Sequence, residues 1–193
     1  MGTVYLDLET TGTESHNSII EIAAEYHVDG KKVDSFSTKC FDTESTINLE
    51  ALNVNKTKFS ELYQRITEKD GLVKFFDWIL GIVDKDTNIE LSGINIQFDF
   101  NLIKVRAAKY KINTYGVLPY RLHDIGQEAR YLVKHGLLQL KKSPGKGNTL
   151  KDLCLTLEID LGKNQLHSAE GDVAMYSQVQ HKLNEILYKA LGR

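Results

Sequence analysis

Apolar residues in the first forty positions alternate or bunch as they do in strands, whereas later ones recur at helical spacing. Residues 3–9 are expected to form a strand built on Val4, Tyr5 and Leu6, and Ile19–Val28 a second with mixed apolar and polar positions. The turn Asp29-Gly30-Lys31-Lys32 leads to a third strand over Val33–Cys40, because Asp-Gly between two strand-like runs is a hairpin signal. Short helical pieces follow at about Leu49–Asn53 and Ser60–Thr67. Leu72, Phe75, Phe76, Ile79, Leu80 and Val83 then mark a longer helix. Ile89-Glu90-Leu91 reads as a short buried strand ending at Ser92-Gly93, followed by a helix from about Gln97 to Lys111. Arg121–Asp124 reads as a last strand before a helix through Leu138. Ser143–Gly147 is a loop, and helices over about Thr149–Glu158 and Ala169–Leu191 complete the chain. Three antiparallel strands followed by strands alternating with helices predict an α/β fold, a mixed sheet with helices packed on it.

Composition narrows the class. A chain of 193 residues can bury one good core and is short for two, so a single domain over residues 1–193 is expected. No run of about 18 apolar residues could span a membrane. The opening strand runs straight into acidic residues, unlike a secretory signal, and Leu6 stands where myristoylation wants Ser or Thr. Cys40 and Cys154 are far apart without metal-binding spacing and read as reduced residues of a cytoplasmic protein. A net charge of −2 argues against coating nucleic acid by electrostatics alone, but not against an enzyme whose acidic site is counted in that charge. Two positive runs, Lys104/Arg106/Lys109/Lys111 and Lys141/Lys142/Lys146/Lys151, read equally as solvated faces or as phosphate tracks.

The candidate chemistry begins at Asp7 and Glu9. Residues two apart on a strand face the same way, so two carboxylates are aimed at one spot beside Thr10-Thr11-Gly12. Like charges held so close call for a cation, and hard divalent ions prefer oxygen ligands. A second acid, Asp99, opens a helix just after a strand that ends at Gly93, and sites of open α/β sheets gather at the carboxyl ends of strands. Asn95, four residues before it, shares its face if the helix starts early. A third segment carries His167 ahead of the last helix and Asp172 in its opening turns. Taken singly, Asp99 and Asp172 are acids favoured by a helix dipole, and His167 is a helix-entry residue.

In order, Asp-x-Glu-Thr-x-Gly, Asn-x-x-Phe-Asp and His-x-Ala-x-x-Asp resemble the motifs of the DEDDh 3′→5′ exonucleases, a family that includes proofreading subunits, RNase T and oligoribonuclease. The likeness extends to Glu50–Asn55 after the third strand and to Thr149–Leu153 before the last motif. One departure is Ile94, where many members carry His beside the second motif's Asn.

The resemblance implies an RNase H-like mixed sheet. It also implies two divalent cations, Mg²⁺ or Mn²⁺, held by Asp7, Glu9, Asp99 and Asp172, with His167 as general base. Thr10, Thr11 and Asn95 would hold the terminal nucleotide of single-stranded DNA or RNA, releasing nucleoside 5′-monophosphates. Two rivals remain beside it. Asp7-Leu8-Glu9-Thr10 loosely resembles the nucleophile motif of haloacid-dehalogenase-like phosphatases, with Asp7 attacking small phosphate esters. A nucleic-acid-binding module that has lost its chemistry would lack a ligand, yet all five motif residues are present.

Overall fold

The computed structural model describes residues 2–84, 88–141, 150–161 and 168–192. The first three strands, β1 (Gly2–Thr10), β2 (Ile19–Val28) and β3 (Lys31–Phe41), form the antiparallel meander expected from the pattern. The connection between β2 and β3 is tighter than predicted. Asp29 and Gly30 alone make the turn, at φ 49° and 76°, and Lys31 and Lys32 already pair with Val28 and His27. Two left-handed residues match the twist of the flanking strands, and this moves both lysines into β3.

Next come α1 (Leu49–Val54) and α2 (Phe59–Leu62), then a two-residue strand, β4 (Ile66–Thr67). The helix expected over Ser60–Thr67 is therefore corrected. The chain leaves helical geometry after Tyr63, the Arg65 guanidinium donates to the Ile20 carbonyl at 2.7 Å, and β4 runs parallel to Cys40–Phe41. Thr67 then caps α3 (Glu68–Val83) by accepting from the Asp70 amide, so the preceding residues cannot belong to a continuing helix.

β5 (Ile89–Gly93) lies parallel to β1, and β6 (Leu122–Asp124) parallel to β5, which gives the sheet order β4-β3-β2-β1-β5-β6. Between them runs α4 (Ile96–Lys109), and after β6 come α5 (Ile125–Lys134), α6 (Leu150–Thr156) and α7 (Ala169–Ala190). α5 stops four residues before its expected end at Leu138. Gly136 at φ 72° lets the Leu137 amide fold back on the Leu132 carbonyl, a left-handed glycine stop.

Alternation along β1 sorts the core into two layers. Val4, Leu6 and Leu8 face Phe75, Ile79 and Ile103 of α3 and α4, whereas Tyr5 faces Val173, Tyr176 and Val179 of α7. Asp7 and Glu9 follow Tyr5 on that second face. Close packing of β5 on β1 requires Gly93, where a Cβ would stand 2.7 Å from the Leu6 carbonyl oxygen. Among the described residues no helix is long and apolar enough to cross a membrane.

Candidate metal centre

Residues from opposite ends of the chain meet where β1 leaves the sheet. Carboxylate oxygens of Asp7, Glu9 and Asp172 all lie within 4.8 Å of one another. The two β1 residues are brought there by strand alternation. Asp172 comes from the first turn of α7, which Ser168 starts by accepting from the Gly171 amide. Asp99, in the first turn of α4, stands outside that trio and reaches the end of β1 from the other helical layer. It is buried, and its carboxylate accepts from its own amide and from that of Leu8.

Electrostatics at this end are unbalanced. Burial pushes the Asp7 carboxyl well above the usual range, repulsion from Asp99, Asp172 and Glu9 adds to this, and among the described residues the Tyr176 hydroxyl opposes it. Glu9 is pushed up to about 7, by burial first and then by Asp172 and Glu21. Asp99 is also raised, by burial and by Glu9 and Asp124, against the two amides that stabilise its charge. No ion pair among the described residues involves Asp7, Glu9 or Asp99. Oxygen donors that repel one another in a half-buried place suit a hard divalent cation.

Three contributors escape the sequence motifs. Tyr176, one turn beyond Asp172 on α7, donates its hydroxyl to Asp7 Oδ1 at 2.5 Å and is itself buried. Asn55 follows α1; its side chain bonds Glu9, and its Nδ2 donates to the Thr10 carbonyl at 3.1 Å. Glu21 lies opposite Glu9 on β2, buried, with Oε1 lacking a hydrogen-bond partner among the described residues. Spacing of four from Asp172 points to Tyr176 in retrospect; the other two depend on cross-strand and loop neighbours.

The expected substrate residues divide. Thr10 is half-buried, and its hydroxyl donates to the Gly12 carbonyl at 2.6 Å. Thr11 is fully buried; its hydroxyl donates to the Thr46 carbonyl at 2.8 Å and accepts from the Ser18 amide at 2.9 Å. Its side chain therefore ties loops together. Asn95 is exposed at φ 60° and precedes α4, making no side-chain cap. Because the helix starts only at Ile96, the shared helical face proposed for Asn95 and Asp99 does not apply.

Asp124 caps α5 by accepting from the Gln127 amide at 3.0 Å, while its charge also acts on Asp99. His167 and the loop Ser143–Gly147 lie outside the described residues. The first positive run is also corrected. Arg106 is buried and Lys109 is paired to Asp42, so neither belongs to a phosphate track.

Comparison with curated proteins returns no significant sequence match. Among solved structures the fold matches exonuclease I of Methylocaldum szegediense at TM-score 0.79 and 14% identity, covering 99% of this chain and 43% of that one. It matches E. coli exonuclease I in complex with a dT13 oligonucleotide at TM-score 0.80 and 14% identity, covering 98% and 42%. A zinc-bound E. coli ExoI–ssDNA complex matches at 0.76 and 15%, covering 95% and 40%. The chain thus spans less than half the length of these exonuclease I chains. A family model described as an exonuclease, RNase T, matches residues 4–179, and the chain belongs to that exonuclease family.

Proposed function

We propose that residues 1–193 work as one metal-dependent 3′→5′ exonuclease domain, cutting phosphodiester bonds from the 3′ end of single-stranded DNA or RNA. The observation that carries this reading is the convergence of Asp7, Glu9 and Asp172 within 4.8 Å, with Asp99 beside them and no cationic side chain paired to Asp7, Glu9 or Asp99 among the described residues. Family membership supports it, as do structural neighbours bound to single-stranded oligonucleotides.

In this reading Asp7, Glu9, Asp99 and Asp172 hold two divalent cations, Mg²⁺ or Mn²⁺. When bound, such ions supply the positive charge that grips the attacking and leaving oxygens and lowers the pKa of the attacking water. The rigid end of β1 presents Asp7 and Glu9 together, and Tyr176 fixes the orientation of the Asp7 carboxylate. His167, five residues before Asp172, takes the proton from the attacking water; an imidazole titrates near neutral pH, and this role rests on the sequence motif. Thr10, Thr11 and Asn95 face the terminal nucleotide, and the Thr11 hydroxyl also ties the segment after β1 to Thr46. Buried free Cys40 and Cys154 fit a reducing, cytoplasmic setting.

The test follows 5′-labelled single-stranded DNA and RNA of one sequence, with Mg²⁺ and with chelator. A metal-dependent ladder that shrinks from the 3′ end is expected, and His167→Ala should slow it strongly while metal affinity stays near that of the parent. Hydrolysis of small phosphate monoesters without any ladder would overturn the proposal in favour of a phosphatase.

A further inference from the structure

A cavity of about 500 Å³ lies between α4 and the loop that leads into β6, within the range of ligand-binding clefts. Its walls combine rings and cations. Lys104 of α4 sits over the Phe100 ring, 5.1 Å from its centroid, and the Arg121 guanidinium lies 5.9 Å from that of Tyr120. Tyr115 and Tyr120 stand in solvent, at 91% and 80% exposure, and Arg121 is steadied by a hydrogen bond to Asn88. No carboxylate is among the described lining residues. The whole chain carries a net charge of −2, so this concentration of positive charge is local.

Position gives the groove a direction. Phe100 directly follows Asp99 on α4, whereas Ile89 and Arg121, at the amino ends of β5 and β6, place the rest of the groove away from the acidic cluster. Lys104 lies four residues further along α4, about 6 Å by helical rise, and Arg121 immediately precedes β6. Exposed rings that offer faces to successive bases, interleaved with cations that meet phosphates, are what an unpaired strand requires. Cations that already lie over aromatic faces also stack on bases readily.

We infer that Phe100, Lys104, Tyr115, Tyr120 and Arg121 form a track for the single strand upstream of the 3′-terminal nucleotide. This rests on the exonuclease reading above and names where the rest of its substrate lies. The track makes affinity rise with strand length and makes binding salt-dependent, while the terminal nucleotide is held independently at the acidic end.

The test uses 5′-fluorescein oligothymidylates, a dodecamer and a trinucleotide, with anisotropy measured in chelator and cleavage measured in Mg²⁺. Tyr120→Ala, Tyr115→Ala and Lys104→Ala alter exposed side chains and should leave the melting temperature unchanged. Loss of one stacking ring should weaken dodecamer binding about tenfold. Lys104→Ala should lower the slope of log affinity against log salt by about 0.7. Trinucleotide cleavage should match the parent in all three variants. Unchanged dodecamer affinity in all three, with cleavage intact, would overturn the track and leave the exonuclease standing. Absence of cleavage at both lengths would instead overturn the exonuclease reading. Equal weakening of trinucleotide and dodecamer would also sink the track, since the groove would then be part of the terminal-nucleotide pocket.

Discussion

α4 takes part in two clusters of carboxylates, one half-buried and one buried, that differ in the cation supplied to them. Towards its start, Asp99 joins Asp7, Glu9 and Asp172, where no lysine or arginine is paired to Asp7, Glu9 or Asp99 among the described residues. Seven residues further on, Arg106 joins Glu68 and Asp42. There the guanidinium reaches both acids, with Nε 2.9 Å from Glu68 Oε1 and Nη2 2.5 Å from Asp42 Oδ2. Lys109 pairs with Asp42, the Tyr110 hydroxyl donates to Glu68 at 2.8 Å, and the Ile19 amide donates to Glu68 at 2.6 Å. Burial alone would raise Asp42, but the bonds from Lys109, the Glu44 amide and Arg106 hold it below the usual carboxylate range. Glu9, bonded by the Asn55 side chain but by no cation among the described residues, is pushed up to about 7. The protein supplies its own cation where acids are structural, joining α4 to α3, β2 and β3. Where the cation is withheld, the acids form a cluster that could hold one from solution.

Removing a member of each cluster should break this comparison in opposite senses. Asp7→Ala or Asp172→Ala is expected to reduce nuclease activity to background, while the metal-free protein melts at or above the parent temperature, since a repelling charge is gone. A drop of several degrees for the metal-free variant would show that the acidic end is structural. Arg106→Leu should do the reverse at the other cluster. It strands Glu68 and Asp42 in the core, for a loss of about 3–5 kcal/mol in urea unfolding. Unfolding at parental denaturant concentrations would mean that the network contributes little.

Tyr176→Phe sharpens the contrast, because it removes only one hydroxyl from Asp7. Loss of such an orienting bond typically lowers metal affinity by about 10–100-fold. Calorimetric titration with Mn²⁺ checks this directly, and an unchanged affinity would reduce Tyr176 to a packing residue. The smallest effect concerns pH. A carboxyl whose folded pKa is raised binds more protons folded than unfolded, so Glu9 makes the metal-free protein lose stability as pH rises from about 4.5 through about 7. Melting temperatures should therefore fall across that window in chelator, and the slope should flatten in excess Mg²⁺. A chelator curve as flat as the Mg²⁺ curve would contradict the raised Glu9.

These contrasts also mark what the chain reveals when read alone. Strand alternation is local, so the pairing of Asp7 with Glu9 and the three-strand meander were visible in residues 3–40. Helical periodicity likewise carried α3, α4 and α7. What remained hidden depends on contacts between distant segments. β4 exists because Cys40–Phe41 offers backbone that Ile66–Thr67 can pair with, and no local pattern encodes a two-residue strand. Arg106 read as part of a basic run because its partners, Glu68 and Asp42, lie 38 and 64 residues away. Thr11 sits in the motif as a neighbour of Glu9, yet its burial beneath Thr46 is decided by the loop after β3.

The outer side of β3 has a consequence of another kind. This strand is eleven residues long, and among the described residues β4 pairs only with its last two. The remaining edge carries exposed Lys31, Lys32, Asp34 and Lys39. Open backbone of that length would be a template on which copies of the chain could line up into fibres, and a row dominated by lysine makes two such edges repel. The hairpin between β2 and β3 thus closes the sheet's outer side with an edge whose charges disfavour pairing with a second copy.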